Sequence, residues 1–76
     1  MELLNISGVD ASIVIAPDGN GGSFASARSI GGVNVQIIME KLGGGGNRSA
    51  AAAQFADIPA AEAAQKVREA IDFYFT

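Results

Sequence analysis

The sequence predicts a small domain of the α/β (α+β) class, in which helices pack on a small mixed β-sheet of about three or more strands. Two observations support this class. Two short runs near the start of the chain, ASIVIA and SFASARS, have the composition of strands. Two longer segments carry apolar residues at helical spacing. The expected order is a helix tail, β, β, α, a glycine loop, β and α. The chain has 76 residues and is expected to form a single domain.

The first half of the chain predicts a helix end followed by a β-hairpin. MELLNISGV is typical of the last turn of a helix, because glycine is common just past a helix end. This interpretation makes the chain a C-terminal piece of a longer protein. Residues 11–16, ASIVIA, predict a strand that is buried on both faces. PDGNGG is a turn signal, and SFASARS at 23–29 predicts the returning strand.

Side chains alternate along a strand, so the segment at 23–29 has two different faces. One face is expected to carry Phe24, Ser26 and Arg28, and the other Ala25, Ala27 and Ser29. A hydroxyl and a guanidinium two residues apart therefore share one face.

The next segment predicts a helix over 34–42. Its apolar stripe consists of Val35, Ile38, Met39 and Leu42. Asn34 is a favourable N-cap and Gly43 a favourable C-terminal stop. The first glycine of LGGGGNRSAAAAQF is thus assigned to the helix end, and Gly44 to Gly46 need another explanation.

The second half predicts a strand over 49–55 and a helix that begins near Pro59. The small side chains of SAAAAQF would let a helix or a ligand lie close over the sheet. The buried stripe of the last helix is expected to be Ala60, Ala63, Ala64, Val67, Ile71 and Tyr74. Glu62 and Lys66 are spaced for an ion pair on its exposed side.

The composition of the chain argues against several classes of partner and site. The net charge is −3 and the estimated pI is 4.5, so duplex nucleic acid is not expected as a partner. Cysteine and histidine are absent, which excludes disulfides, thiolate zinc sites and imidazole catalysis from this chain. No apolar run approaches the roughly 20 residues that a membrane-spanning helix needs. We expect a cytoplasmic location.

The glycine run suggests a phosphate-binding loop. Consecutive glycines leave backbone N–H groups unshielded, and such groups can form an anion-binding nest. Arg28 could supply a positive charge, and Ser26 and Ser29 could supply hydroxyl contacts. The alternatives are a flexible connection and an exposed arginine without a ligand. The loop is neither a Walker A sequence nor a dinucleotide fingerprint, since no G-K-[ST] follows it and it ends a helix.

The segment SFASARSIGGVNVQIIMEKLGGGGNRSAAAAQF resembles the C-terminal DHH-associated domain of the DHH phosphoesterase superfamily. The superfamily pattern is a strand ending in S-x-R-S, a helix, then G-G-G-H and a small-residue strand. Its counterparts here are Ser26, Arg28 and Ser29, the helix at 34–42, then Gly44, Gly45 and Gly46, and the strand at 49–55. Within the superfamily, the stretch VNVQIIMEKLGGGG resembles cyclic-di-AMP phosphodiesterases of the GdpP/YybT type. The resemblance extends from about Leu4 to Ile71.

The resemblance implies a division of labour with a preceding DHH catalytic domain, whose aspartates and histidines would hold manganese. This domain would bind the nucleotide part of a cyclic dinucleotide or short oligonucleotide, and no catalytic or metal-ligating residue is expected in it. Alone, it should have no turnover. The implied substrate-binding residues are Ser26, Arg28, Ser29, Gly44, Gly45, Gly46 and Asn47. A homodimer and a membrane-anchored parent are further expectations of this resemblance.

Asn47 stands where the family has a histidine. An asparagine amide can donate a hydrogen bond to a phosphate oxygen but cannot carry positive charge. Arg48, the next residue, is a candidate to supply that charge. Two alternatives stay open: an oligoribonuclease or single-strand exonuclease of the same superfamily, and a degenerate structural or dimer-forming module that has lost the site.

Overall fold

The structure, a computed structural model, describes residues 1–6 and 10–76. This part of the chain forms a five-stranded sheet with two helices on one face, which confirms the predicted α+β class. The elements are β1 (Glu2–Ile6), β2 (Ala11–Pro17), β3 (Ser23–Ser29), α1 (Val35–Lys41), β4 (Gly45–Gly46), β5 (Ala50–Phe55) and α2 (Ala60–Tyr74). The strand order is β1-β2-β3-β5-β4, and every described pairing is antiparallel, so the prediction of a mixed sheet is wrong.

The prediction of a helix tail at the start of the chain is also wrong. Glu2–Ile6 is a strand that pairs with β2. Leu3 is exposed while Leu4 packs against the core and Ile6 is buried, which is the alternation of a strand with one covered face. Pairing with the long apolar strand β2 decides the conformation of this short segment. The predicted turn at Gly8 lies outside the described residues.

The hairpin β2–β3 is confirmed, with a register that runs from Ala11 opposite Ser29 to Pro17 opposite Ser23. Its turn is held by the Asp18 carboxylate, whose Oδ1 accepts hydrogen bonds from the N–H groups of Asn20 at 2.7 Å and Gly22 at 3.1 Å. The prediction that 11–16 is buried on both faces is wrong. Ile13 and Ile15 are fully buried, but Val14 is only half-buried, because the helices cover one face of the sheet.

The core lies between the helices and the covered face of the sheet. Its largest fully buried side chains are Ile13, Ile15, Ile38, Met39, Val35 and Val67. Alanines at Ala51 and Ala53 on β5 and at Ala63, Ala64 and Ala70 on α2 are buried as well. Such small side chains let the helices approach the sheet closely, as expected for the alanine-rich strand.

The ends of α1 agree with the sequence-based prediction. The Asn34 Oδ1 accepts hydrogen bonds from the N–H groups of Gln36 at 3.1 Å and Ile37 at 3.4 Å. Gly43 has a φ of +86°, and its N–H donates to the carbonyl of Glu40 at 3.0 Å. Gly43 therefore ends the helix in the left-handed conformation that glycine favours.

Helix α2 buries Ala63, Ala64, Val67 and Ala70, and Ile71 and Tyr74 are half-buried. The expected pair of Glu62 and Lys66 does not form within 4.0 Å. The ion pair that occurs in the described ranges joins Arg68 to Glu2 at 3.9 Å.

Candidate functional site

The glycine loop forms the edge of the sheet. Gly45 and Gly46 make up β4, which pairs with Ala52 and Ala51 of β5. A Cβ on Gly46 would lie 2.5 Å from the carbonyl oxygen of Ala50, and a Cβ on Gly44 would lie 2.7 Å from the Cα of Ala53. Gly46 also has a φ of +145°, which side-chain-bearing residues rarely adopt. Close packing of the loop on β5 thus accounts for two of the glycines.

Several amides of this loop are already hydrogen-bonded within the chain. The N–H of Gly43 donates to Glu40, that of Gly44 to Met39 at 2.8 Å, and that of Asn47 to Ala50 at 2.8 Å. Gly45 and Gly46 pair with β5 as an edge strand, in which the N–H groups of successive residues point alternately toward and away from the partner strand. The bonded N–H groups of Gly43, Gly44 and Asn47 therefore interrupt the row of adjacent free donors that an anion-binding nest requires.

Gly45 differs from its neighbours. A Cβ built on it meets no atom of the described residues within 4 Å, and its φ lies outside the left-handed region. Within that part of the chain, neither backbone conformation nor packing requires glycine at this position. The absence of a side chain leaves open space over the sheet, where a ligand could lie against the backbone.

The sheet face opposite the helices, called the open face here, carries small side chains around Gly45. The pairing registers align Val14, Ser26, Ala52 and Gly45 in one row across β2, β3, β5 and β4. The neighbouring row contains Ser12, Arg28 and Ala50. Because directly paired residues point to the same face, these side chains form one continuous surface.

A shallow depression of about 280 Å³ lies on this surface. It is lined by Ser26, Ala27, Arg28, Gly45, Gly46, Ala50, Ala51 and Ala52 and is called the small-residue depression below. It is close to the lower limit of the usual volume of ligand pockets, about 300 Å³. Because the depression is shallow and open to solvent, it suits a ligand whose outer side is held by a second surface.

Arg28 is the charged side chain of the small-residue depression. It is exposed, and within residues 1–6 and 10–76 no carboxylate lies within 4.0 Å of its guanidinium. A guanidinium offers five N–H donors in a planar fork that matches two oxygens of a phosphate or carboxylate. Ser26 is half-buried two residues away on the same face and adds a hydroxyl. The pair Ser26 and Arg28 therefore shares one face as expected, beside Gly45 and Gly46.

The other three predicted site residues lie elsewhere. Ser29 is buried on the covered face, where its hydroxyl lies 3.3 Å from the carbonyl of Asp10. Gly44 lines a neighbouring depression of about 440 Å³ together with Phe24 and Gln54. Asn47 lies in the exposed turn after β4. The structure thus brings together four of the seven predicted residues.

The side chain of Asn47 has a local partner. Its Oδ1 accepts hydrogen bonds from the N–H groups of Ser49 and Ala50, each at 2.9 Å. These two hydrogen bonds close the turn between β4 and β5. The side-chain NH₂ group takes no part in them and remains a hydrogen-bond donor for another partner. Arg48, in the same turn, is exposed, and its carbonyl accepts a hydrogen bond from the Val35 N–H at 3.1 Å.

Ala50 and Ala52 form the floor of the depression, and the sequence did not single them out individually. The signal for them is the alternation along β5, in which Ala51 and Ala53 are buried while Ala52 is exposed. Phe24 and Gln54 extend the open face toward the second depression. Their pairing across β3 and β5 was not predictable without the register.

The resemblance assigns manganese to a separate DHH domain and no metal ligand to this chain. No group of three acidic, histidine or cysteine side chains comes together among the described residues, and the chain contains neither histidine nor cysteine. Across the same residues, no helix has the length and apolar character needed to span a bilayer.

Comparison with known proteins assigns the chain to a family. The profile of the DHHA1 domain matches residues 1–76. The chain is 58% identical over 73 residues to the cyclic-di-AMP phosphodiesterase GdpP of Geobacillus thermodenitrificans. It is 52% identical over 75 residues to the cyclic-di-AMP phosphodiesterase PdeA of Listeria monocytogenes and 48% identical over 73 residues to GdpP of Bacillus subtilis.

Each of these alignments covers 96% of this chain but 11% of the relative. The chain thus spans about a tenth of the length of the curated relatives it matches. Both the profile match and the identities extend over nearly all of the 76 residues, so the assignment includes the open face as well as the core. The chain belongs to the DHHA1 domain family.

Proposed function

We propose that this chain is the nucleotide- and phosphate-binding domain of a metal-dependent phosphodiesterase that hydrolyses cyclic di-AMP. Three relatives that are 48 to 58% identical carry the name cyclic-di-AMP phosphodiesterase. On this proposal a preceding DHH domain would hold the metal ions, whose chemistry would be the activation of water for attack. The proposal includes a cytoplasmic location and no turnover by this chain alone.

The observation that carries the proposal is the guanidinium of Arg28, which has no carboxylate within 4.0 Å among residues 1–6 and 10–76, beside the backbone of Gly45 in the small-residue depression. Arg28 lies in a chain of net charge −3, so an anion must be attracted locally and not by the overall field. The fork of Arg28 would hold two phosphate oxygens, and Ser26 would donate or accept one further hydrogen bond.

The small-residue floor would let the ligand approach the sheet. Ala50, Ala52 and Gly45 present little bulk, so a phosphodiester or a flat base could lie against the strands. The role of this chain would be to bind and orient the substrate, since correct orientation lowers the barrier of a reaction whose metal lies elsewhere. Ser29, Gly44 and Asn47 stay predictions as contacts, and the structure gives each another role or position.

Isothermal titration of the chain with cyclic di-AMP tests the role of Arg28. We expect Arg28→Gln to weaken binding by about tenfold or more, because a charge-assisted hydrogen bond contributes about 1.5–3 kcal/mol. Arg68→Gln is the matched control. It removes the same charge from the exposed side of α2 and loses only a long ion pair of two half-exposed side chains. Equal binding by both variants would contradict the proposal.

The longer protein gives the corresponding kinetic test. Arg28→Ala should raise the KM for cyclic di-AMP while metal binding is unchanged, because this chain supplies no metal ligand. Hydrolysis of short linear oligonucleotides in preference to cyclic di-AMP would instead support the exonuclease alternative. Absence of any nucleotide binding would support the degenerate structural module.

A further inference from the structure

A second surface with binding character lies on the side of the molecule that carries the helices. It is a groove of about 630 Å³ between the C-terminal end of α1, the end of β5 and the middle of α2. This volume falls in the usual range of small-molecule sites, about 300–1,000 Å³. We call it the lysine groove. It is about twice the volume of the small-residue depression and shares none of its lining residues.

Both lysines of the chain line this groove, from different helices. Lys41 comes from the last turn of α1, and Lys66 comes from α2. Neither has a carboxylate within 4.0 Å among residues 1–6 and 10–76. Glu69 also lines the groove, and its carboxylate is 3.4 Å from the side-chain amide of Gln65. The groove is therefore net positive on a chain whose net charge is negative.

The same groove has an apolar and aromatic surface. Phe55, Ile58, Ala70 and Phe73 line it, and 64% of Phe73 is exposed to solvent. The ammonium of Lys41 lies 3.9 Å from the centroid of the Phe73 ring. This cation–π contact places a positive charge directly against an exposed aromatic ring. A ring-bearing anion could pack against the exposed part of Phe73 that Lys41 does not cover, while its charge meets Lys41.

We propose that the lysine groove is a second ligand site, which takes a small anion carrying a planar ring, such as a nucleoside monophosphate. Lysine ammonium groups bind phosphate as point charges from two walls, and the Phe73 ring packs against the planar part. The site is independent of the proposed function, because the groove shares no lining residue with the small-residue depression that contains Arg28 and Gly45. Its ligand would regulate or stabilise the domain without entering the small-residue depression.

The test is amide chemical-shift mapping of the chain with three probes: AMP, adenosine and inorganic phosphate. AMP should shift the amides of Lys41, Lys66 and Phe73, and it should bind about tenfold more tightly than adenosine or phosphate, which each lack one of the two interactions. Absence of shifts with about 10 mM AMP, which corresponds to a very weak affinity, would overturn the proposal.

Matched variants separate specific binding from a general effect of charge. The single variant Lys66→Gln should weaken AMP binding by about tenfold, while Arg68→Gln, which removes one charge from the same helix, should bind as the unchanged chain does. Equal losses in both would reduce the effect to overall charge and overturn the proposal. AMP shifts confined to Arg28, Gly45 and Gly46 would also overturn it and would instead support the proposed function. Circular dichroism of each variant verifies that it is folded.

Discussion

At the scale of single residues, three consecutive glycines occupy different surroundings. Gly44 and Gly46 lie against β5, where a Cβ would overlap the backbone of that strand, whereas Gly45 has open space above it. We expect Gly44→Ala and Gly46→Ala to lower the free energy of unfolding by about 1–3 kcal/mol through overpacking. Gly45→Ala should leave it within about 0.5 kcal/mol.

Urea denaturation of the three variants measures this difference. Because Gly45 lies in the small-residue depression, Gly45→Val should weaken the binding of cyclic di-AMP while the domain stays folded. A Gly45→Ala variant as unstable as Gly46→Ala would show that the loop is packed differently. Unchanged ligand binding by Gly45→Val would remove Gly45 from the site.

Asn47 offers a second prediction at this scale. Its Oδ1 closes the turn after β4 through two hydrogen bonds to backbone N–H groups. Asn47→Ala should lower the free energy of unfolding by about 1 kcal/mol, since the turn is exposed and water replaces part of the loss. Asn47→Asp keeps an acceptor oxygen for both hydrogen bonds and should retain stability. Thermal unfolding of the two variants checks this, and equal stability of Asn47→Ala and the unchanged chain would contradict it.

At the scale of elements, α1 and α2 are joined by a hydrogen bond at their ends. The Asn34 N–H, at the N-terminus of α1, donates to the Tyr74 hydroxyl near the end of α2 at 3.0 Å. The Tyr74 ring also lies edge-on to Phe75, with the ring centroids 5.0 Å apart. A single hydroxyl thus connects the N-cap residue of one helix to the C-terminal turn of the other.

Tyr74→Phe isolates that hydroxyl because the ring stays in place. We expect a loss of about 1 kcal/mol and a fall of about 4–8 °C in Tm, the usual relation for a domain of this size. The amide of Asn34 should exchange faster with solvent, as hydrogen exchange would show. An unchanged Tm together with unchanged exchange at Asn34 would contradict this link between the helices.

At the scale of the whole molecule, the sequence predicted local elements better than the arrangement of the sheet. Hairpin β2–β3 and the caps of α1 follow from local signals: the turn residues at 17–22, Asn34 and Gly43. Strand β1 was mistaken for a helix end because five residues carry little periodicity of their own and pair by tertiary contact. Strand β4 consists of two glycines, a residue with low strand propensity. It is extended because it pairs with β5, which the sequence alone did not show.

The candidate site was predictable to a similar extent. Alternation along β3 correctly placed Ser26 and Arg28 on one face, and the antiparallel register then brings Gly45 and Ala52 beside them. The sequence wrongly predicted a row of free backbone N–H groups in the glycine loop. The hydrogen bonds of this loop depend on its packing against α1 and β5, which the sequence alone does not show. Ser29 lies on the buried face because strand alternation separates it from Arg28.

We propose that cyclic di-AMP binds the open face of the sheet through Arg28 and the neighbouring small residues. Amide chemical-shift mapping of the chain with cyclic di-AMP is the decisive experiment for this proposal. We predict shifts at Ser26, Arg28, Gly45, Gly46 and Ala52, and their loss in Arg28→Gln but not in Arg68→Gln. Shifts confined to α1 and α2, or none with millimolar ligand, would contradict the claim.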